Sequence, residues 1–242
     1  MIKHLSSFLL LCLILFTWTS CGDDSDEGTS IDFQFNFTIN DENLELEKLY
    51  QLNGTTVQFE IARFYVGGIE LETTAGTSAT FDDLYLLVKA EETEYEVGQV
   101  DLADYSALKF FVGIAPTENS QAESDFTTRS SSDPLGVQDP SMHWNWNSGY
   151  KFVRIDGQTD TDGDGVVDTP LAFHIGTDAL LNSMEFDVPR LEEGENTLNF
   201  NLDLNQLYSE IDLAVDWDTH TGNNIPLAEQ FVANFKNALT LN

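Results

Sequence analysis

The run Ile31-Asp32-Phe33-Gln34-Phe35-Asn36-Phe37-Thr38-Ile39 alternates apolar and polar residues without a break. Successive side chains on an extended chain point to opposite faces, so this period of two predicts a strand buried on one side. Shorter apolar runs follow at 44–50, 57–65, 66–71, 81–88, 95–100 and 108–114. Asn53-Gly54 supplies a turn between two of them, and the Thr/Gly/Ser-rich stretch 73–80 a second break. Residues 115–141 are polar and dense in turn chemistry, with Pro116, Asn119, Asp133-Pro134 and Asp139-Pro140. A loop of that length is usually functional or disordered.

Past this loop, 151–155 and 171–175 read as strands around an acidic segment, and 179–188 and 196–204 as further strands. Residues 204–211 fit a short helix or a turn. Leu227, Phe231, Phe235 and Leu239, four apart and preceded by Pro226, predict a terminal amphipathic helix. Many short strands and one helix predict an all-β fold, a β-sandwich of antiparallel strands with a short C-terminal helix.

The first 20 residues do not fit that pattern. Lys3 and His4 begin the chain, 8–16 is apolar, and small residues precede Cys21. This is the plan of a secretory signal, too short and wrongly flanked for a transmembrane helix. A small residue directly before Cys21 resembles the lipobox of bacterial lipoproteins, which implies cleavage before Cys21 and acylation on it. Cys12 is the only other cysteine and lies in the removed part, so the mature chain forms neither an internal disulfide nor a thiolate metal site. Residues 21–30 hold the acidic run Asp23-Asp24-Ser25-Asp26-Glu27, read both as a solvated tether and as a signal for the outer membrane. The expected organisation is signal 1–20, tether 21–30 and one domain 31–242. The expected location is the outer membrane, on its periplasmic or cell-surface side. With a formal charge of −32 the surface repels nucleic acid and anionic lipid, which leaves the lipid anchor as the membrane contact.

Two groups of residues carry candidate chemistry. Asp160, Asp162 and Asp164 are spaced by two, Gly165 follows, and Asp168 comes four later. Calcium takes six to eight hard oxygens, and a tight loop offers carboxylates at alternate positions with a carbonyl, here that of Val166, between them. The twelfth position is Leu171 instead of glutamate and the flanks read as strands, so the segment is not an EF-hand. It is similar to the aspartate-rich calcium loops of secreted β proteins, with a structural role. The alternative is an acidic hairpin tip with no ion.

The second group is Met142-His143-Trp144-Asn145-Trp146 and, beyond the acidic loop, Phe173-His174-Ile175-Gly176. On a regular strand Trp144 and Trp146 share a face and His143 takes the other. His174 shares its face with the small residues Ala172 and Gly176. With the acidic loop as a hairpin tip, simple pairing sets His174 opposite about Phe152, so the tryptophans reach it only if Ser148-Gly149 bends the chain back. His220, in Asp216-Trp217-Asp218-Thr219-His220, reads as a loop residue.

These stretches, with Tyr150-Lys151-Phe152, Asp156-Gly157, Phe59 to Ile69, Phe110 to Ile114 and the end from Val232, resemble the MbnP-like proteins. That family is associated with methanobactin operons. The resemblance implies a copper-binding β protein outside the cytoplasm, in a handling or storage role. It implies histidine ligands, His174 with His143 or His220, and Trp144 or Trp146 oxidised to kynurenine. It further implies a di-haem peroxidase-type maturation enzyme as partner. Some relatives have a histidine after an asparagine where this chain has Asn119-Ser120. No nucleophile–base set or phosphate-cradling loop is suggested, so the expected protein is not an enzyme. The alternative is a surface glycan-binding or adhesion lipoprotein that uses the two tryptophans.

Overall fold

A computed structural model of the chain describes residues 28–144 and 148–242. Thirteen strands and four short helices follow one another in the order β1 (Thr29–Ile39), β2 (Glu42–Asn43), β3 (Leu49–Leu52), β4 (Thr55–Thr73), β5 (Ser78–Lys89), β6 (Glu94–Val100), β7 (Tyr105–Val112), α1 (Pro116–Asn119), α2 (Glu123–Thr127), β8 (Val153–Thr159), β9 (Thr169–Ile175), β10 (Asn182–Asp187), β11 (Glu195–Asp203), α3 (Leu204–Leu207), β12 (Asp218–Thr219), α4 (Ile225–Ala238) and β13 (Leu239–Leu241). They form a five-stranded and an eight-stranded sheet, the all-β sandwich that the periodicity predicts. The sheets are mixed, because β1 pairs with β11, and β9 with β12, in parallel. Those two pairings depart from the antiparallel strands expected from the sequence.

The strict alternation of β1 turns Ile31, Phe33, Phe35, Phe37 and Ile39 inward. Phe33 meets Phe110 of the opposite sheet at 6.3 Å between ring centroids, and Phe35 meets Phe64 edge-on at 5.6 Å. Burial of each such ring contributes roughly 2 kcal/mol. Helix α4 begins at Asn224, whose side chain accepts from Leu227 N, and Pro226 sits in its first turn. It lays Phe231 on Phe173 at 5.0 Å and Phe235 on Phe64 at 5.7 Å, closing the core.

The apolar runs read separately at 57–65 and 66–71 belong to the single 19-residue strand β4. Its register shifts between Phe59 and Ile61 and again between Gly67 and Ile69. These bulges break the parity on which a sequence reading relies. Along one edge β4 pairs with β3 and then β5; along the other it pairs with β8 and then β7. The segment between β7 and β8 therefore leaves and re-enters at one seam. It is not an apolar-poor loop: it carries α1 and α2, and it buries Phe126, Leu135, Met142 and Tyr150 with Tyr65 and Phe152 in a second apolar cluster. Tyr65 OH donates to Pro134 O at 2.8 Å and Tyr150 OH to Leu135 O at 2.6 Å, which ties the segment to the sheet.

Candidate metal centre

The last part of that segment carries Trp144. Residues 142–144 lie antiparallel to 149–151, where Trp144 N donates to Gly149 O at 3.1 Å and Lys151 N to Met142 O at 2.7 Å. Gly149 has φ +72°, and a Cβ there would lie 2.3 Å from Asn119 Oδ1. That oxygen accepts from Tyr150 N at 2.9 Å, so α1 braces the bend. The bend needed at Ser148-Gly149 is thus present, with Asn119 as its support.

His174 lies on the outward face of β9. Its cross-strand partner is Arg154, not Phe152, because Thr159 pairs with Thr169 and shifts the expected register by two residues. His220 comes from the residue after β12. Asp218 pairs with Ala172 and Thr219 with Phe173, so the parallel ladder carries His220 up beside His174. Asn223 Oδ1 accepts from His220 N at 2.6 Å, and Thr221 Oγ1 donates to His174 O at 3.1 Å, fixing the loop on β9.

Three rings meet as a result. The imidazoles of His174 and His220 stack with centroids 4.6 Å apart and 13° between their planes. The Trp144 ring lies 5.7 Å from His174 and 5.8 Å from His220. Lys151 Nζ stands 5.4 Å over the Trp144 ring and donates to Ser141 O. Gly176 leaves room for this arrangement: a Cβ there would lie 2.3 Å from Tyr150 O and 2.9 Å from Trp144 Nε1.

The electrostatics of the cluster favour a neutral His174 beside an ionised carboxylate. Asp156 Oδ1 is 2.5 Å from His174 Nε2, and Arg154 Nε donates to Asp156 Oδ2 at 2.6 Å. Burial pushes the Asp156 carboxyl up, but the bonds from His174 and Arg154 outweigh it and hold it below the ordinary value. Burial lowers His174 by more than Asp156 raises it. Neutral imidazole is the form that binds a metal. Burial, and then Arg154, lower Lys151 as well.

His143 does not join the cluster. Its ring packs instead 3.8 Å from that of Tyr150 and 4.4 Å from that of Phe126. Burial and the Lys151 charge push it down to about 4. Trp146 lies outside the described residues, as does Cys21. Asp156, Arg154 and Lys151 were not singled out as site residues. The available signal was parity, since Arg154 and Asp156 share the outward face of β8 as His174 does that of β9.

The acidic segment is the tip of the β8–β9 hairpin. Asp160, Asp162 and Asp164 offer carboxylate oxygens within 4.8 Å of one another, and Asp168 lies outside this group. Asp160 accepts from Gly163 N at 2.7 Å and from Gly165 N at 2.8 Å. Burial raises its carboxyl, but these N–H groups prevail and hold it below its ordinary value. Val166 is exposed, and its N donates to Asp164 Oδ1.

A two-sheet β-sandwich that presents two histidines and an indole on the outward face of β9 defines the class of this protein. The family model for MbnP matches residues 28–225, and the chain belongs to the MbnP family. The solved structure of MbnP from Methylosinus trichosporium superposes with a TM-score of 0.55 at 17% identity, over 76% of this chain and 79% of that one. No curated protein matches.

Proposed function

We propose that this chain is a copper-binding protein that works outside the cytoplasm in a handling or storage role, with His174 and His220 as imidazole ligands. The observation that carries this reading is the meeting of those two rings, 4.6 Å apart, with Trp144 within 6 Å of both. The donor set fits the metal: imidazole suits copper, and the carboxylate on the back of His174 is the usual support of a ligating histidine. Imidazole also suits zinc, nickel and iron, so the choice of copper rests on the family. In this reading Trp144, which lies beside both imidazoles, is the indole that is oxidised, and a di-haem peroxidase-type enzyme is the partner that oxidation calls for. The chain itself has no catalytic role in this reading.

Calcium at Asp160, Asp162 and Asp164 would stiffen the β8–β9 hairpin, whose far end carries His174. Cys21 would anchor the protein to the outer membrane through acyl chains. The glycan-platform alternative is disfavoured for Trp144, because Lys151 stands over its ring and two imidazoles flank it.

The test is competition for Cu(I) between the purified mature chain and a chromogenic chelator. The expected result is one tight equivalent that is lost in the double variant His174→Ala/His220→Ala. Equal uptake by the double variant would refute the assignment.

A further inference from the structure

We infer that Asp156 and Arg154 are positioning residues that commit His174 to bind metal through Nδ1. The inference rests on the proposed imidazole site, but its first consequence belongs to the metal-free chain. Asp156 Oδ1 lies 2.5 Å from His174 Nε2. An ionised carboxylate has only acceptors, so the ring nitrogen must donate, and a neutral imidazole with the proton on Nε2 has its lone pair on Nδ1. The second carboxylate oxygen is not spare: it accepts from Arg154 Nε at 2.6 Å. Asp156 is therefore held from behind and cannot swing away without losing the guanidinium.

Asp156 is not a third ligand on the same footing as the histidines. Among the described residues only Asp160, Asp162 and Asp164 bring three ligand atoms within 4.8 Å of one another. His220 is held less firmly. Its Nδ1 is 3.5 Å from Asp218 Oδ1, beyond a good hydrogen bond, and nearly half of its side chain is exposed. The two ligands thus differ, one locked and one adjustable.

Arg154 does a second job. Its Nη1 donates to Ser141 O at 2.8 Å, the same carbonyl that Lys151 Nζ reaches at 3.1 Å. Ser141 lies three residues before Trp144. One guanidinium therefore spans from the support of His174 to the base of the indole. The β8–β9 register dictates this, since Arg154 is the residue directly opposite His174.

The test is long-range proton–nitrogen NMR of the mature chain labelled with ¹⁵N-histidine, before and after one equivalent of Cu(I). The metal-free wild type should show His174 with the proton on Nε2, and Cu(I) should move the Nδ1 resonance. Asp156→Ala should lose the tautomer preference and about 10- to 100-fold in Cu(I) affinity while still unfolding cooperatively. If that variant does not fold, Asp156→Asn serves, since its amide can accept from Nε2–H or donate to a bare Nε2 and so enforces neither tautomer. Arg154→Gln should weaken Cu(I) less and leave the tautomer in place. A wild-type His174 with its proton on Nδ1, or an Asp156 variant with unchanged tautomer and affinity, overturns the positioning role. A wild type with the Nε2 proton that takes up no Cu(I) instead overturns uptake by the two imidazoles of the unoxidised chain, and the metal-binding half of this inference with it.

Discussion

His220 stacks on His174 because a two-residue strand, Asp218–Thr219, runs parallel to β9 and delivers the next side chain to the same face. The contact depends on a loop held by polar bonds and not on the core. His220→Ala should therefore change unfolding free energy by less than about 0.5 kcal/mol, as surface substitutions do. It should nonetheless lower copper affinity by about 100-fold, or ~3 kcal/mol. Chemical denaturation and chelator competition on one preparation separate the two effects. A large loss of stability with unchanged affinity would assign His220 a structural role.

Gly176 admits the indole. A β-carbon there would press on Tyr150 O and Trp144 Nε1 together, and one of these neighbours is backbone. Gly176→Ala should cost about 1–3 kcal/mol of stability by overpacking. It should also shift tryptophan fluorescence as Trp144 moves; unchanged stability and emission would contradict the packing described.

His143 makes folding sensitive to acid. Its folded-state value is pushed down to about 4, below the ordinary 6.5, so between these limits the unfolded chain binds more protons than the folded one. Stability then rises with pH in that window. It is unaffected by this group well above pH 6.5, and falls by about 3 kcal/mol as pH drops toward 4. Carboxylates titrate there too, so the comparison is with His143→Gln. The variant should have the flatter pH profile between pH 6.5 and 4.5, and a parallel profile would remove His143 from the account.

The acidic hairpin tip gives a metal-dependent prediction. Millimolar calcium should raise the Tm of the wild type by several degrees through binding to the folded state alone. Asp162→Asn/Asp164→Asn should abolish that rise and leave the metal-free Tm equal or higher, since like charges are removed. Asparagine keeps the side-chain oxygens that accept from Asp164 N and Val166 N, so this exchange removes charge and leaves those bonds. Equal calcium response in the variant would rule out these carboxylates as ligands.

The legible parts of the fold were those with local causes. Strand β1 follows from unbroken alternation, α4 from four-residue spacing behind Pro226, and the Asn53-Gly54 hairpin from two residues that adopt positive φ. Strand β4 was hidden by its own bulges, and the parallel pairings by their distance along the chain. The same cause hid half of the site. Two residues of β12 are too short for a periodic signal, yet they place His220. Resemblance and parity name His174 and the pair Trp144 and Trp146, whereas Asp156 acquires its meaning only from the β8–β9 register. The polar segment 115–141 reads as a loop in the sequence because its buried residues, Phe126 and Leu135, are isolated along the chain and gathered only by the fold.

The central claim is that copper sits at His174, His220 and an oxidised Trp144. The most direct measurement is intact mass and peptide mapping combined with metal analysis on protein purified from its native source. The account predicts about one copper per chain and added oxygen localised to Trp144, on an acylated chain that begins at Cys21. Native-source protein with no copper and an unmodified Trp144 would contradict it.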